Sequence, residues 1–493
     1  MAVTNPVANE PGWTVLPDRP VPTYSRPLLG SELLVDQFAL FYDGLAEPAM
    51  GLTFTSPLPH DELEARTRKA LARLRFVSPG IAATLEYVNN AKTRSFVYTP
   101  TSDVSKIALW AQESLVVRHE TMDVEAFIAG INQTKLPYVL SDGTEQILRT
   151  YLYLGPEEHA IFFHGSHTLM DARPTFGALS LLLEFMTDDT LGPLEEWGWG
   201  TEWAALPVGP VTATGGPRED YEGAGMALMK RAVETMTSEL PTHSIVPARQ
   251  EVGVAGRPVR VHVVIPADKS AKLLKAAKAG GFTVTHLFEA AQALAIFIVN
   301  PPPEEEKSEA HITWPQSLVA LSKWQVAPHN TKAHFVGTLS LVPTKTRYVD
   351  IPWSEQPKAQ LLSLMQHVRA QYEFYLTNPH LPHFTAAAVA LNPPLEPGIS
   401  RNAFATTSTN LGVVEQTIPL EWRLRTANGD AGPALTVHEM AFGHRLTQPN
   451  PLTHVWTMHS QMHVQVEASD HWDQNYLQRY LDEIVRQAEL LLD

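Results

Sequence analysis

A histidine and an aspartate four residues apart form the best candidate in this sequence for acid–base chemistry. Of the 20 histidines, only His119 and His167 are followed by an aspartate at that spacing. His167 opens the segment HTLMD, which ends at Asp171. An imidazole of near-neutral pKa suits the removal of a proton from a hydroxyl that attacks a carbonyl carbon. We interpret His167 as the candidate general base and Asp171 as the residue that fixes its loop.

The elements around HTLMD predict how His167 is positioned. The runs ILRTYLYL (residues 147–154) and HAIFFHG, joined by GPEE, predict a β-hairpin that ends at Gly165. The run PTFGALSLLLEFM, from Pro174, predicts a buried helix with proline in its first turn. HTLMD is therefore expected to be a loop between a strand and a helix. His119 lies in a polar stretch without a preceding strand, and we interpret its spacing as incidental. For HTLMD the plain alternative is an ordinary polar loop.

The composition changes in the middle of the chain and suggests two domains. The 493 residues exceed what one core usually supports, and a segment rich in Gly, Pro, Thr and Trp includes PVGPVTATGGP. We predict an N-terminal domain over residues 1–200, a linker over 201–245 and a C-terminal domain over 246–493. The second half restarts with a strand (VRVHVVIP) and a Lys- and Ala-rich helix, and it ends with a strand (HVWTMHSQMHVQVEA) and an amphipathic helix.

Charge and cysteine content exclude several kinds of function. The formal net charge of −16 argues against nucleic acid or an anionic membrane as a partner. The absence of cysteine removes a thiolate nucleophile, a Cys zinc site and disulfides. The N-terminus lacks the features of a signal peptide, and no apolar stretch is long enough for a membrane span. We expect a cytoplasmic protein and a monomer.

The segment Ser166-His167-Thr168-Leu169-Met170-Asp171-Ala172 resembles the HHxxxDG motif of the CoA-dependent acyltransferase superfamily. That superfamily includes peptide-synthetase condensation domains, plant BAHD acyltransferases and fungal trichothecene acetyltransferases, and this chain is closest in style to the last. Two positions depart from the motif, because Ser166 replaces the first histidine and Ala172 replaces the glycine. The first departure argues against a peptide-forming condensation domain more than against catalysis. The order of elements also fits, so the resemblance covers most of the chain.

The resemblance implies an α/β fold with two chloramphenicol-acetyltransferase-like halves that form a tunnel between them. It implies that His167 faces this tunnel as the base and that Asp171 is a brace, held by an ion pair. It also implies direct acyl transfer without an acyl-enzyme, which agrees with the absence of cysteine.

The donor side of the expected tunnel is assigned to residues of the second half. The segment TTSTNLGVVEQ (residues 406–416) resembles the Ser-x-Asn-x-Gly strand of fungal and bacterial members, and Ser408 and Asn410 would share one face of that strand. They would contact the donor or the oxyanion, whereas a Thr-rich edge strand with a bulge at Gly412 is the plain alternative. Thr285, as the cap of the helix that follows it, and Lys323 are further candidates for contacts to coenzyme A. The similar EWGWG, residues 196–200, is too early for the BAHD DFGWG motif and predicts a Trp-anchored turn.

Three hypotheses for the function remain. The first is transfer of an acyl group, in the simplest case acetyl, from a coenzyme A thioester as co-substrate to a hydroxyl or amine of a hydrophobic secondary metabolite. The second replaces coenzyme A by an acyl carrier protein. The third is a repurposed tunnel that steers a cyclisation or cycloaddition without acyl transfer. No metal is expected, because His459 and His463 lie in one predicted strand and would be about 13 Å apart.

Overall fold

The computed structural model describes residues 4–131, 133–248, 257–391 and 406–493, apart from the side chains of residues 315 and 316. The strands are β1 (Thr14–Val15), β2 (Tyr24–Pro27), β3 (Pro48–Thr55), β4 (Thr84–Glu86), β5 (Ser95–Tyr98), β6 (Leu115–Arg118), β7 (Tyr138–Val139), β8 (Glu145–Gln146), β9 (Leu148–Leu154), β10 (His159–Gly165), β11 (Pro258–Ile265), β12 (His311–Ala320), β13 (Leu339–Arg347), β14 (Thr407–Val413), β15 (Glu421–Thr426), β16 (Gly429–His444), β17 (Leu452–Met458) and β18 (Gln461–Ser469). The helices are α1 (Ser31–Phe41), α2 (His60–Val77), α3 (Val104–Ser114), α4 (Val124–Ile131), α5 (Ala172–Met186), α6 (Pro210–Ala213), α7 (Met226–Met236), α8 (Ala267–Ala279), α9 (Val284–Val299), α10 (Pro357–Leu376), α11 (Phe384–Leu391) and α12 (Gln474–Glu489).

The first half is built on a six-stranded sheet in the order β15-β16-β3-β10-β9-β6. The predicted hairpin is confirmed, because β9 and β10 pair antiparallel with Gly165 opposite Leu148. Strand β10 is buried along its whole length. Because a central strand covered on both faces has no side chains that face solvent, its sequence is nearly continuously apolar instead of alternating between apolar and polar residues. Helices α2 and α5 pack on each other beside this sheet and share one apolar core with it. The sheet and α5 together hold the loop that contains His167.

The second half has a four-stranded sheet in the order β11-β18-β17-β14 and a separate pair, β12-β13. Helix α9 is buried from Leu287 to Phe297 because it packs against α10 and α12 and shares one apolar core with them. Its continuous apolar sequence is that of a helix inside a core. Helix α12 presents one apolar face to the same core. Strand β14 lies at the edge of the sheet and pairs in parallel with β17.

A strand exchange joins the two halves. Strands β15 and β16 come from the C-terminal part of the sequence, yet β16 pairs antiparallel with β3 and so completes the sheet of the first half. His444, at the end of β16, lies opposite Pro48 in this pairing. The domain limits of 1–200, 201–245 and 246–493 remain a prediction. The sequence analysis did not predict that residues 421–444 join the sheet of the first half.

One local expectation was wrong. The run HVWTMHSQMHVQVEA, expected as one strand, is the hairpin β17–β18, with a turn at His459 and Ser460, whose φ angles are 51° and 62°. The stretch PVGPVTATGGP, which belongs to the predicted linker, contains the buried residues Val211 and Ala213, and the linker itself stays a prediction. Within the described ranges, no single helix combines the length and apolar character of a membrane span, although α8 and α9, bent by 100° from each other, pass that test as a pair.

Candidate functional site

The loop of His167 is fixed by hydrogen bonds close to where β10 ends. The backbone N–H of Ser166 donates to the carbonyl oxygen of Ile147 on the neighbouring segment, at 2.8 Å. The carbonyl oxygen of Ser166 accepts from the N–H groups of Leu169 and Met170, at 3.1 and 3.0 Å, so the chain turns sharply. Helix α5 begins directly afterwards, at Ala172. The turn leaves the His167 side chain partly exposed while the residues on both sides of it are buried.

Asp171 ties this loop to the second half. Its Oδ2 accepts a hydrogen bond from the backbone N–H of Thr338 at 2.6 Å, and the N–H of Gly337 donates to the carbonyl oxygen of Thr168 at 3.0 Å. A side chain at Gly337 would meet the carbonyl oxygens of Thr168 and His167 at 3.0 and 3.2 Å, so the close approach requires glycine. The expected ion pair is not formed: no Lys or Arg nitrogen in the described ranges lies within ion-pair distance of Asp171. A backbone amide fills the place of that cation.

His167 faces a cavity between the two halves. This inner cavity, of about 90 Å³, is lined by Pro48, Met50, His167, Met170–Arg173 and Thr175 from the first half, by Leu318, Ala320, Leu339, Thr409–Leu411 and His454 from the second, and by Phe442 and His444 of the exchanged strand β16. The predicted catalytic residues His167, Asp171 and Asn410 therefore line one space. Most of its other lining side chains are apolar, which suits an apolar ligand.

Burial sets the protonation of the two motif residues. Burial and then the charge of His444 lower the pKa of His167 to about 4, although the backbone of His167 and Met170 partly opposes the decrease. Burial raises the pKa of Asp171 to about 7, against the lowering influence of the Thr338 amide and Arg173. His167 is therefore a neutral imidazole at physiological pH, the form that a general base requires. Its pKa lies well below the near-neutral value expected from the sequence, so it is a weaker base than a free imidazole.

Asn410 lies at the junction of the inner cavity with two further spaces. One, the side cavity, is small and is lined by Val284, Thr285, Phe288, Glu289, Leu318, Tyr372, Ser408, Thr409, Asn410 and Val455. The other, the mouth, has about 710 Å³ and is lined by Arg173, Gly281, Thr283, Thr285, His286, Leu318–Ala320, Ser322, Lys323, Arg369, Tyr372, Glu373, Leu376, Asn410 and Gln416. The predicted donor-binding residues Thr285, Ser408 and Lys323 thus line the side cavity or the mouth, and Asn410 borders all three spaces.

The Asn410 side chain is held by two hydrogen bonds. Its Nδ2 donates to Thr285 Oγ1 at 3.0 Å, and its Oδ1 accepts from the N–H of Gly412 at 2.9 Å. Strand β14 has a bulge between Asn410 and Gly412. Ser408 is buried whereas Asn410 is exposed. Strand β14 is therefore an edge strand with a bulge, as the plain alternative predicted. Asn410 also borders the cavities, as the functional interpretation predicted.

Thr285 does not have the capping role expected for it. Thr283 is the N-cap of α9, because its Oγ1 accepts a hydrogen bond from the N–H of His286 at 3.2 Å and the ring of His286 accepts one from the N–H of Thr283. Thr285 lies in the first turn instead. Its hydroxyl is therefore committed to Asn410 and the cavities rather than to the helix end.

Three Lys or Arg residues border the mouth, Arg173, Lys323 and Arg369, and Arg369 is paired with Glu373. Lys323 and Arg173 are the other two. Lys323 Nζ lies 4.0 Å from the centre of the Trp324 ring, and burial lowers the pKa of the ammonium group. Burial also lowers the pKa of Arg173, against the opposing charge of Asp171. In the described part of the chain neither residue has a carboxylate within ion-pair distance. Both are therefore available to an anionic ligand at the mouth.

A cluster that the sequence analysis missed adjoins His167. The carboxylate oxygen Oε1 of Glu467 accepts hydrogen bonds from Nδ1 of His444 and from Nε2 of His454, the latter at 2.9 Å. The ring of His444 stacks on that of His454 at 5.3 Å and on that of His167 at 6.1 Å. A glutamate inside the apolar strand VQVEA was the one local signal for this cluster. These donor types are ones that a metal could use, but their facing atoms are already hydrogen-bonded to one another, and we assign no metal to them.

Comparison with known proteins identifies the fold. No protein-family model matches the sequence, and no curated protein sequence matches it. Among solved structures, the trichothecene 15-O-acetyltransferase TRI3 from Fusarium sporotrichioides is similar with a TM-score of 0.78 at 16% identity, over 98% of this chain and 99% of that one. The condensation domain of the monacolin K polyketide synthase MokA has a TM-score of 0.60 at 10% identity, over 94% and 96%. Polyketide synthase associated protein 5 from Mycobacterium tuberculosis has 0.56 at 14%, over 93% and 98%.

These similarities confirm the predicted α/β fold with two halves. They also confirm the resemblance to acetyltransferases and condensation domains at the level of the fold. The roles of individual residues rest on the geometry of the cavities described above.

Proposed function

We propose that this protein is an acyltransferase that moves an acyl group, acetyl in the simplest case, from coenzyme A to a hydroxyl or amine of a hydrophobic small molecule. His167 is the general base in this proposal. The observation that carries it is the position of the His167 ring in a cavity lined by both halves. The acetyltransferase activity named for TRI3 supports the reaction class.

The adjoining inner cavity and mouth give the acceptor and the acyl donor separate binding positions. The inner cavity, with Met50, Leu339 and Phe442 among its lining side chains, suits an apolar acceptor. The mouth, with Arg173 and Lys323, suits the phosphates of coenzyme A, since cations free of ion pairs attract phosphate. The pantetheine arm would then pass Asn410 and place the thioester beside His167.

The reaction starts from the neutral imidazole of His167, at the position where the acceptor and the thioester come together. His167 takes the proton of the acceptor hydroxyl or amine while its oxygen or nitrogen attacks the thioester carbon. The carbonyl oxygen becomes an oxyanion, and collapse of the tetrahedral intermediate breaks the carbon–sulfur bond. The proton held by His167 passes to the leaving thiolate. No acyl-enzyme is needed, which agrees with a chain that has no cysteine.

A carrier-protein thioester is the second candidate donor. It is favoured by the similarity to the MokA condensation domain, since condensation domains work on carrier-bound substrates. The acyl-pantetheine arm is common to both donors, so His167 and Asn410 would serve either. Contacts to phosphates at the mouth would distinguish the two donors. Coenzyme A carries a nucleotide diphosphate at the position where a carrier protein has a folded domain.

The test compares donors against a panel of hydrophobic alcohols and amines, with the products measured by mass spectrometry. Acetyl-CoA, acetyl-pantetheine and an acetyl-loaded carrier protein are used in parallel. Released thiol is counted with a thiol reagent, which gives no background from a cysteine-free protein. We expect products heavier by one acetyl group and a matching amount of free coenzyme A. Products of unchanged mass would instead support cyclisation, and the proposal would be abandoned.

A further inference from the structure

His444 lies between His167 and a buried carboxylate. Its ring faces that of His167 at 6.1 Å between centres, with 24° between the planes, and its Nδ1 is hydrogen-bonded to Oε1 of Glu467. His444 also lines the inner cavity. Its Nε2 has no hydrogen bond to any described residue, so this nitrogen is the one available to a ligand.

We propose that His444, held by Glu467, is a second catalytic residue that donates a hydrogen bond from Nε2 to the thioester carbonyl oxygen as that oxygen becomes an oxyanion. This inference rests on the proposed acyl transfer and adds a residue to it. Glu467 acts through His444 and is a positioning residue. No bond to hydrogen breaks in this role: the proton stays on His444, and the acceptor's proton is carried by His167 as before.

One arrangement of protons satisfies the hydrogen bonds of the cluster. Glu467 is buried, and its Oε1 faces Nδ1 of His444 and Nε2 of His454. Nδ1 of His454 is paired with the hydroxyl of Thr409 at 2.6 Å, which can donate to it, so His454 is satisfied as a neutral ring. An ionised Glu467 would then be a buried negative charge without a cation unless His444 is an imidazolium.

The charges agree with this assignment. Burial raises the pKa of Glu467, but His444 and His454 outweigh it and hold that pKa well below its usual range. The carboxylate is therefore ionised. The charge of His444 is in turn the second cause, after burial, of the low pKa of His167. The proposal needs a proton on both nitrogens of His444 beside a neutral ring at His167, so that the two neighbouring imidazoles differ in protonation as an acid–base pair requires.

Several other charged or titratable groups lie on the elements around His444. On the loop and α5 they are His167, Asp171 and Arg173, and on β17 and β18 they are His454 and Glu467. Glu47 directly precedes β3, Arg445 directly follows β16, and Arg260 lies on β11. Arg445 is paired with Asp43, and Arg260 is paired with Glu125. The described groups therefore leave Glu467 as the carboxylate in contact with the His444 ring.

The first experiment uses the unaltered protein. Imidazole 15N NMR, with assignments from His444→Gln, reports the protonation of each ring. We expect both nitrogens of His444 to carry protons at pH 7 and those of His167 to show a neutral ring. A neutral His444 at pH 7 would overturn the proposal, whatever the variants do.

The second experiment measures acyl transfer from acetyl-CoA by His444→Ala, His444→Gln and Glu467→Gln, with His463→Gln as a control histidine that stacks on Trp456 away from the cavity. We expect kcat to fall about 10²- to 10³-fold for His444→Ala, the range for loss of one oxyanion donor, with KM for acetyl-CoA nearly unchanged. Glu467→Gln should lower kcat less than His444→Ala does. The acid limb of its kcat–pH profile should move to higher pH. His463→Gln should retain full kcat.

The outcomes separate this inference from the proposed function. If His167→Ala loses activity while His444→Ala stays within threefold of the parent, His444 is rejected and the acyltransferase stands. If the unaltered protein acylates no acceptor in the panel, the proposed function fails and the oxyanion role fails with it. If His444→Ala does not fold, Glu467→Gln and the NMR measurement on the parent decide the question.

Discussion

The side-chain amide of Asn410 donates a hydrogen bond to the hydroxyl of Thr285 at 3.0 Å. The two residues are far apart in the sequence and belong to β14 and α9. Both border the side cavity and the mouth, and Asn410 also borders the inner cavity. The bond therefore fixes the wall that the spaces share, and in the proposed reaction the donor passes this wall on its way to His167.

Thr285→Val removes this hydrogen bond while keeping the shape of the side chain. The variant leaves the Asn410 side chain to be ordered when the donor binds. An ordering cost of about 0.5–1.5 kcal/mol, the size of one hydrogen bond, would raise KM for acetyl-CoA about two- to tenfold with little change in kcat. Steady-state kinetics with a fixed acceptor measures both. Thr212→Val, at an exposed site in α6, is the matched control. A fall in kcat at constant KM would contradict the assignment of Thr285 to donor binding.

His167→Ala should lower kcat by about two to four powers of ten, the range for loss of a general base. The ring borders a cavity, so its removal should leave the unfolding temperature nearly unchanged. The control is His119→Ala, which removes the other histidine with an aspartate four residues later; its side chain is 61% exposed. Full activity in His167→Ala would reject the base, and reduced activity in His119→Ala would point to an unrelated effect on folding.

Asp171→Asn should reduce the dependence of stability on pH. Burial raises the pKa of Asp171 from 3.8 to about 7, so its contribution to stability is fully present below about pH 4 and is lost as pH rises toward 7. Between these values the slope from this group is at most about 1.4 kcal/mol per pH unit. Asparagine keeps an oxygen that can accept from the Thr338 amide. Urea unfolding from pH 4 to 7 should therefore give a flatter profile for the variant, and parallel profiles would contradict the raised pKa.

The sequence predicted the elements that are continuous along the chain. Strands β9 and β10, the loop HTLMD and α5 follow one another directly, and a hairpin followed by a helix needs no distant partner to be recognised. His167 and Asp171 could therefore be placed correctly at a strand end. The Thr338 amide that holds Asp171 could not be foreseen, because any backbone N–H serves as donor and the side chain of its residue gives no signal.

The cluster beside His167 was missed because three strands build it. His444, His454 and Glu467 come from β16, β17 and β18, and β16 leaves its own half to pair with β3. The turn between β17 and β18 was missed for a local reason: His459 and Ser460 adopt positive φ, where Asn-Gly would be the usual signal. The separation of about 13 Å expected for His459 and His463 assumed a continuous strand and does not apply.

Lys323→Gln should distinguish the two donors at the mouth. No carboxylate in the described ranges lies within ion-pair distance of the Lys323 ammonium group. A phosphate of coenzyme A would therefore gain a contact that acetyl-pantetheine lacks. We expect KM for acetyl-CoA to rise about two- to fivefold, as for a partly exposed ion pair, and KM for acetyl-pantetheine to stay constant. The difference should shrink in high salt. Lys278→Gln, on the exposed side of α8, is the control. Equal effects on both donors would place the phosphates elsewhere.

Gly412→Ala tests whether the bulge of β14 positions Arg173. Gly412 has φ +82°, and a methyl group there would collide with the Arg173 guanidinium. Left-handed backbone alone costs an alanine about 1–2 kcal/mol. Gly429→Ala isolates that cost, because Gly429 has φ +102° and no atom within 4 Å of the added methyl. We expect Gly412→Ala to be the more destabilised variant in urea unfolding and the only one of the two with a raised KM for acetyl-CoA, since it displaces a cation from the mouth. Equal unfolding free energies and equal KM values would show that Arg173 moves aside freely and takes no part in donor binding.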